Sequence, residues 1–319
     1  MNHDQQQVPQ RLIYGCMGLG GEWSGSDYGT AQVDQAAAAI EAARQAGVGL
    51  FDHADIYRSG KSEAVFGEVL AATPGLREKI LLQTKCGIRH GGNGLPGRYD
   101  FSAENILARV GESLQRLRTD HVDILLLHRP DPLMDVRELA TTVAQLMAEG
   151  KVLALGVSNM SAAQIAFLED RLETPVVANQ LEMGLGNRAW VESSVLVNRG
   201  EGLDAGFPHG TLEYAATHGV ELQAYGSLAQ GRYTGRPPGG PDDAATSALV
   251  ESLAAEHKTT REAVVLGWLM KHPARISPVI GTTDPARIAA CADAARVAAA
   301  MTRTEWYGLW VAARGAELP

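Results

Sequence analysis

The chain has 319 residues, of which 45% are hydrophobic and 20% are charged. This composition excludes an intrinsically disordered chain and an ordinary fibrous protein. The 28 basic and 37 acidic residues give a net charge of −9 without any basic block, which argues against a nucleic acid or an anionic membrane as a partner. The length fits two average domains or one closed α/β barrel.

The cysteines and the N-terminal segment indicate the compartment. Three cysteines, Cys16, Cys86 and Cys291, lack CxxC spacing and are interpreted as free thiols in a reducing cytoplasm. Residues 1–11 are polar and have no apolar stretch of the kind found in a secretory signal. Apolar runs such as 124–127 are far shorter than the roughly 20 residues that span a bilayer. We therefore expect a cytoplasmic protein that does not enter membranes.

Short apolar runs alternate with longer amphipathic, alanine-rich stretches along the chain. The short runs predict strands at 12–16, 49–53, 80–86, 122–128, 152–157, 176–181, 220–225 and 276–280. The longer stretches predict helices at about 32–46, 61–72, 102–118, 135–149, 161–171, 209–218 and 245–271, and a last helix from about 284. Ser102 and Ser161 are the predicted N-caps of their helices.

This alternation is typical of βαβ units. The uninterrupted apolar run at 122–127 is typical of a strand that is buried on both faces of a parallel sheet. Eight such units predict a (β/α)8 barrel, a TIM barrel, that forms a single domain over residues 1–319. Three long segments follow predicted strands, at 90–101, 184–208 and 229–243. They are predicted to be loops on the C-terminal face, where barrel enzymes hold their active sites.

Polar residues and glycines stand at the ends of seven predicted strands. Because the C-terminal ends of barrel strands meet at one mouth, we expect these residues to converge there. They are Asp52, His53, Asp55, Tyr57, Lys85, His128, Ser158, Asn159, Gln180, Tyr225, Gly226, Ser227, Gly281, Thr282 and Thr283.

Four of these side chains suggest acid catalysis. A buried Lys85 needs a counter-charge, which Asp52 can supply. A lysine beside a phenol favours the phenolate, so the pKa of Tyr57 is expected below its usual ~10. Such a phenol can pass a proton to a carbonyl oxygen, and a neutral His128 can donate a hydrogen bond to the same oxygen.

Four motifs, FDHADIY, TKCGI, LLLHRPD and GVSNM, closely resemble those of the aldo-keto reductases in their order and spacing. The resemblance runs from Leu12 to about Trp310. The closing segment MTRTEWYGLW looks most like a bacterial branch of uncharacterised oxidoreductases in that superfamily. The resemblance implies an NADPH-dependent enzyme that reduces an aldehyde or a ketone to an alcohol.

The resemblance also implies a role for each catalytic residue. Tyr57 would be the general acid and Lys85 would lower its pKa. Asp52 would pair with Lys85, and His128 would orient the substrate carbonyl.

NADP(H) is the cofactor that the resemblance implies, and no metal is implied. Ser158, Asn159 and Gln180 would hold the nicotinamide carboxamide, and Tyr225 would stack on the nicotinamide ring. The other implied contacts are Met17, Gly226 and Gly281 along the cofactor, Ser227, Leu228 and Gly231 at the pyrophosphate, and Thr282, Thr283 and Arg287 at the adenosine 2′-phosphate.

The region after the last strand carries the predicted preference for NADP(H). Arg287 lies near the start of a predicted helix, where free backbone N–H groups and the helix dipole favour a phosphate. This region departs from the family pattern, because Ala290 and Cys291 stand where a Gln or Glu and an Asn are common. The first strand departs as well, because Cys16 and Met17 follow Gly15 where a Thr or Met and an aromatic residue are common.

Two other functions stay open from the sequence. His53 and Asp55 could supply ligands to a metal-dependent barrel hydrolase, although strand alternation points His53 away from Asp52. A non-catalytic, nucleotide-sensing subunit is the other alternative, against which the complete set of four catalytic residues argues. Aromatic residues are candidates for pocket walls or for ordinary packing; they are Tyr99, Trp190, Trp306 and Trp310. Neither the substrate nor the oligomeric state follows from the sequence.

Overall fold

Eight parallel strands close into a barrel in the computed structural model, which describes residues 11–25, 27–92 and 94–319. The strands are β1 (Ile13–Gly15), β2 (Leu50–Asp52), β3 (Leu81–Cys86), β4 (Ile88–Arg89), β5 (Arg98–Tyr99), β6 (Val122–Leu127), β7 (Val152–Ser158), β8 (Val176–Glu182), β9 (Glu221–Tyr225) and β10 (Ser277–Ile280). Around the barrel the order is β1, β2, β3, β6, β7, β8, β9 and β10, which pairs with β1 again. The predicted (β/α)8 barrel is confirmed, and each predicted strand matches an observed one to within one residue at either end.

Helices follow the barrel strands along the chain. They are α1 (Thr30–Gln45), α2 (Lys61–Ala72), α3 (Ala103–Leu117), α4 (Val136–Ala148), α5 (Ala162–Glu169), α6 (Ala189–Val195), α7 (Gly200–Asp204), α8 (Thr211–His218), α9 (Pro241–Glu256), α10 (Arg261–Lys271), α11 (Pro285–Ala289), α12 (Ala294–Ala300) and α13 (Arg303–Arg314). Within the described part of the chain, no helix is long and apolar enough to cross a membrane.

Side-chain caps begin two of the helices where the sequence predicts them. Ser161 Oγ accepts a hydrogen bond from the backbone of Gln164 at 3.3 Å, and Gln164 Oε1 accepts one from the Ser161 backbone at 2.9 Å. This reciprocal capping box satisfies donors that the first turn of α5 leaves free. Ser102 Oγ accepts from the backbone of Asn105 at 3.4 Å and begins α3. Both predicted N-caps are confirmed.

The three segments predicted as loops contain short regular elements. The first contains β5, which pairs with β4 just before the segment to form an antiparallel hairpin. The second contains α6 and α7, and the third contains a 3-10 turn at Ala229–Gly231 and the first residues of α9. The irregular part of each segment is therefore shorter than its glycine and proline content suggests.

Tryptophans form an aromatic cluster outside the barrel, between the C-terminal helices. Trp268 and Trp306 stack at 5.1 Å, and each indole nitrogen donates to the backbone carbonyl of the other residue at 3.0 Å. Trp190 packs edge-on against Trp268, and Trp310 donates to a carboxylate on α6. The pocket-wall interpretation of Trp190, Trp306 and Trp310 is therefore wrong, because all three are buried where α6, α10 and α13 meet.

Candidate active site

The four predicted catalytic residues lie at the C-terminal ends of neighbouring strands. Asp52 is the last residue of β2, Lys85 is in β3, and His128 directly follows β6. Tyr57 begins a 3-10 turn at Tyr57–Gly60 that leads from β2 into α2. Backbone hydrogen bonds continue past the strands, from His128 to Cys86 at 3.0 Å, so the barrel holds these residues at one mouth.

Asp52 and Lys85 form a buried ion pair. Lys85 Nζ donates to both carboxylate oxygens of Asp52, at 2.6 and 2.7 Å, and to the backbone carbonyl of His53 at 2.8 Å. Both side chains are only 1% exposed. Burial alone would lower the pKa of Lys85, but Asp52 and, in the same direction, Tyr57 raise it.

Tyr57 lies directly beside this ion pair. Lys85 Nζ is 4.9 Å from the centroid of the Tyr57 ring. Burial raises the pKa of the phenol, and the positive charge of Lys85 opposes this effect without cancelling it. The expectation of a lowered pKa is therefore wrong for the net shift, although Lys85 acts in the predicted direction. Tyr57 is protonated at neutral pH, as a general acid must be.

His128 also lies near Tyr57. The two ring centroids are 6.3 Å apart and the ring planes are nearly perpendicular, at 83°. Burial, with the nearby charges of Lys85 and Arg129, lowers the pKa of His128 to about 3. The ring is thus neutral at pH 7, and its buried Nδ1 lacks a hydrogen-bond partner among the described residues. A neutral imidazole has one N–H to donate.

His53 belongs to the packing and not to the mouth. Its ring is fully buried and packs edge-on against Phe66, with centroids 4.6 Å apart. Burial lowers its pKa to about 3. No group of three or more His, Cys, Asp or Glu side chains within residues 11–25, 27–92 and 94–319 is arranged to hold a metal ion.

The residues predicted to hold the carboxamide meet at the ends of β7, β8 and β9. Ser158 Oγ donates to the backbone carbonyl of Gln180 at 2.9 Å, and Asn159 Nδ2 donates to Ser158 Oγ at 2.8 Å. The hydroxyl of Tyr225 donates to Asn159 Oδ1 at 3.0 Å. Asn159 has a φ of 59°, a left-handed conformation that Asn tolerates better than most residues. The structure therefore brings Ser158, Asn159, Gln180 and Tyr225 together.

A cationic cavity of about 370 Å³ opens after β9 and β10, beside the predicted phosphate contacts. It is lined by Gln230, Gly231, Thr234, Gly235, Arg236 and Arg287. Gly231 has a φ of +84°, and a Cβ added there would lie 3.6 Å from Arg287 Nη2. Thr234 Oγ1 is buried without a hydrogen-bond partner among the described residues. Arg236 and Arg287 form no ion pair with any described residue. Sequence reasoning missed Arg236, although an arginine five residues after Gly231 is a visible signal.

The helix that was expected to bind the phosphate, α11, is short and capped by a side chain of its own. α11 has only five residues, and its N-terminus is capped by Asp284, whose Oδ1 accepts from the backbone of Ala286 at 2.9 Å. Thr282 Oγ1 accepts from the Asp284 backbone at 3.2 Å. One of the N–H groups expected to be free, that of Ala286, is therefore already bound by a carboxylate. Arg287 itself still reaches the cavity through its side chain.

The other predicted cofactor contacts lie along the same rim. Ser227 Oγ donates to the backbone carbonyl of Val279 at 2.8 Å, which ties the end of β9 to β10. Met17 is 50% exposed, and its carbonyl accepts from Arg58 Nε at 3.0 Å. The remaining contacts follow β9 and β10, and they are Gly226, Leu228, Gly281 and Thr283.

The sequence profile of the aldo/keto reductase family matches residues 11–301. The chain belongs to this family. The chain is 36% identical over 313 residues to a 6-dehydroglucose reductase from Agrobacterium fabrum, with 97% of this chain and 95% of that relative covered. Among solved structures, the glycerol dehydrogenase from Gluconobacter oxydans has a TM-score of 0.78 at 25% identity, covering 97% of this chain and 93% of that one. An aldo-keto reductase from Klebsiella pneumoniae in complex with NADPH has a TM-score of 0.72 at 23% identity, covering 94% and 89%.

Asp55 and Glu63 form a buried acidic pair, which was not expected from the sequence. Glu63 is fully buried, accepts from Thr84 Oγ1 at 2.6 Å, and pairs with Arg116 at 2.8 Å. Asp55 is also buried, and its Oδ1 has no hydrogen-bond partner among the described residues. Burial and the charge of Glu63 raise the pKa of Asp55 to about 7.

Proposed function

We propose that this aldo/keto reductase reduces aldehydes or ketones to alcohols with NADPH, and that Tyr57 is the general acid. The observation that carries the proposal is that Tyr57 lies close both to the buried Lys85–Asp52 pair and to a neutral His128. A protonated phenol near a fixed positive charge and a neutral hydrogen-bond donor suits a carbonyl oxygen that becomes negatively charged.

Lys85 and Asp52 control the proton on Tyr57. The phenol must hold its proton until the carbonyl oxygen gains charge, and its raised pKa supports this. Once the proton leaves, the phenolate is stabilised by Lys85, since a nearby positive charge favours the anionic form. Asp52 keeps Lys85 charged in a dry environment. Tyr57 donates the proton, and Lys85 stabilises the resulting phenolate.

His128 positions the carbonyl. Because its pKa is lowered to about 3, His128 binds the oxygen as a neutral donor and does not compete with Tyr57 as an acid. A donor placed where charge develops lowers the barrier most in a site that excludes water.

NADP(H) is the cofactor that we propose, and the residues present fit it. When bound, it supplies the hydride. Ser158, Asn159 and Gln180 would hold the carboxamide, and Tyr225 would cover the nicotinamide ring. The cavity suits a phosphate, because Arg236 and Arg287 line it and neither has a carboxylate partner among the described residues. The Klebsiella pneumoniae structure in complex with NADPH supports the same choice.

A polar carbonyl compound, such as an oxidised sugar, is the substrate class that we propose. Two arginines without ion pairs in the described chain flank the catalytic residues. Arg58 directly follows Tyr57 and lies over the ring of Trp23 at 4.9 Å, and Arg129 interacts electrostatically with both His128 and Tyr225. Guanidinium groups donate several hydrogen bonds to hydroxyl and carboxylate oxygens. The name of the Agrobacterium fabrum relative, 6-dehydroglucose reductase, supports this choice.

The proposal is tested by following NADPH absorbance with a panel of carbonyl compounds: 6-dehydroglucose, 4-nitrobenzaldehyde and acetophenone. We expect oxidation of NADPH with at least one aldehyde, unchanged by a metal chelator, and the highest kcat/KM with the sugar aldehyde. NADPH binding without turnover of any member would favour the nucleotide-sensing alternative. Hydrolytic activity that a chelator removes would favour the hydrolase alternative.

A further inference from the structure

Two glutamines meet inside the barrel, directly beneath the catalytic residues. Gln83 is on β3 and Gln223 is on β9, and both are fully buried. These strands lie opposite each other, four places apart in either direction around the ring. The two side chains therefore span the barrel interior and join strands that share no backbone hydrogen bonds.

The hydrogen bonds of this pair run in a defined direction. Gln83 Nε2 donates to Asp52 Oδ1 at 2.6 Å and to Gln223 Oε1 at 2.8 Å. Gln223 Nε2 donates to Gln83 Oε1 at 2.9 Å and to Glu221 Oε2 at 3.1 Å. All four amide hydrogens are used, and a carboxylate stands at each end. Because a carboxylate only accepts, turning either amide over would place two oxygens against each other.

The same pair reaches the cofactor side of the proposed site. Gln180 Nε2 donates to Gln223 Oε1 at 3.1 Å. Gln223 Oε1 thus accepts from Gln83, which holds Asp52, and from Gln180, which is a proposed carboxamide contact. This one carbonyl oxygen therefore connects Asp52, which acts on the proposed proton donor, with Gln180, which would hold the cofactor.

We infer that Gln83 and Gln223 are positioning residues, which fix Asp52 and Gln180 relative to each other through an amide pair across the barrel. This inference rests on the proposed function. Neutral amides suit the task, because they orient a buried carboxylate without adding a charge that would compete with Lys85 for it. Fully satisfied buried networks hold their members in one arrangement.

Substitution by methionine tests the inference, since it keeps the approximate length of the side chain and removes the amide. For Gln223→Met in the full-length protein, we expect NADPH affinity and kcat each to fall about tenfold, the effect of roughly one lost hydrogen bond. For Gln83→Met, we expect kcat to fall by a similar factor while the Kd for NADPH stays unchanged. Kd is measured by fluorescence quenching, and kcat with the best aldehyde of the panel.

The pH profile separates a positioning role from a merely structural one. Asp52 raises the pKa of Tyr57. Without the Gln83 donor, the negative charge of the Asp52 carboxylate is less compensated and should raise that pKa further. We therefore expect the alkaline limb of kcat/KM to move to higher pH in Gln83→Met. Ser277→Ala is the matched control, because it removes a 2.6 Å hydrogen bond to Glu221 at the far end of the same network. It should leave Kd, kcat and the pH profile unchanged.

A lower melting temperature with wild-type Kd, kcat and pH profile in both methionine variants would overturn the inference. If the methionine variants do not fold, Gln83→Asn and Gln223→Asn retract the amide by one methylene, and the same criteria apply to them. Loss of activity in Tyr57→Phe with unaffected glutamine variants refutes this inference alone. A wild-type protein that reduces no carbonyl with NADPH refutes both this inference and the proposed function.

Discussion

The ammonium group of Lys85 binds both oxygens of Asp52, at 2.6 and 2.7 Å, where almost no solvent reaches either side chain. A buried ion pair of this kind is costly to break from one side, because the remaining charge has no water to stabilise it. The pair therefore links the stability of the barrel to the chemistry that we propose at Tyr57.

Replacement of Lys85 by methionine should remove activity and destabilise the fold. The buried Asp52 carboxylate, left without its partner, is expected to lower the free energy of unfolding by about 3–5 kcal/mol. Because Lys85 lowers the pKa of Tyr57, the alkaline limb of any residual rate should move to higher pH. Urea unfolding and a pH–rate profile check both effects. Unchanged stability together with an unchanged profile would contradict the Asp52–Lys85–Tyr57 arrangement.

Tyr57→Phe should reduce the rate of carbonyl reduction by about 10²- to 10⁴-fold, the usual contribution of a general acid. The phenylalanine ring keeps the contact with His128, so the Kd for NADPH should change little. Stopped-flow measurement of a single turnover and fluorescence titration with NADPH separate these quantities. Retention of most of the wild-type kcat would exclude Tyr57 as the acid.

Arg236→Ala and Arg287→Ala should each weaken NADPH binding about 10- to 100-fold, since a hydrogen bond to a charged group contributes roughly 1.5–3 kcal/mol. NADH lacks the 2′-phosphate and should bind both variants as it binds the wild type. Arg171→Ala, an exposed arginine at the end of α5, controls for the change in net charge. Equal losses for NADPH and NADH, or no loss, would disprove the assignment of this cavity to the 2′-phosphate.

Asp55→Asn should stabilise the protein in a pH-dependent way. The pKa of Asp55 is raised to about 7 by burial and by Glu63, while Arg116 and Arg109 act in the opposite direction. An unfolded aspartate titrates near ~3.9, so the folded state binds more protons between these values and loses stability as the pH rises through that range.

The gain from Asp55→Asn should therefore be absent near pH 4 and reach about 2–4 kcal/mol above pH 8, at ~1.36 kcal/mol for each unit of pKa difference. Urea unfolding at both pH values measures it. Asp34→Asn, which changes an exposed aspartate on α1, is the control and should show no pH-dependent gain. An equal effect of Asp55→Asn at both pH values would show that its charge is not the cause.

Short apolar runs predicted the barrel strands well, because a strand that is buried on both faces needs an apolar run of only a few consecutive residues. The run at 122–127 is an example. The proposed catalytic residues were predictable for a related reason. They stand at strand ends or just after them, and the topology of a parallel barrel brings all C-terminal strand ends to one mouth.

Contacts between distant segments were not predictable. From the sequence, Glu63 is interpreted as a solvated charge on a helix. Its pairing with Arg116 becomes visible only when α3 packs against α2. Gln83 and Gln223 are 140 residues apart and look like ordinary strand positions until the barrel closes. The start of the last helix near 284 was predicted, but the capping of α11 by the Asp284 carboxylate was not.

The uneven placement of the tryptophans has a spectroscopic consequence. Four of the five are buried in or beside the cluster of C-terminal helices, and Trp23 alone is solvent-exposed, at 46%, beneath the guanidinium of Arg58. The intrinsic emission of the protein should therefore contain a blue-shifted component from the interior and a red-shifted one from the rim. A carbonyl ligand that displaces Arg58 should alter only the red-shifted component, whereas unfolding of the C-terminal helices should first alter the blue-shifted one.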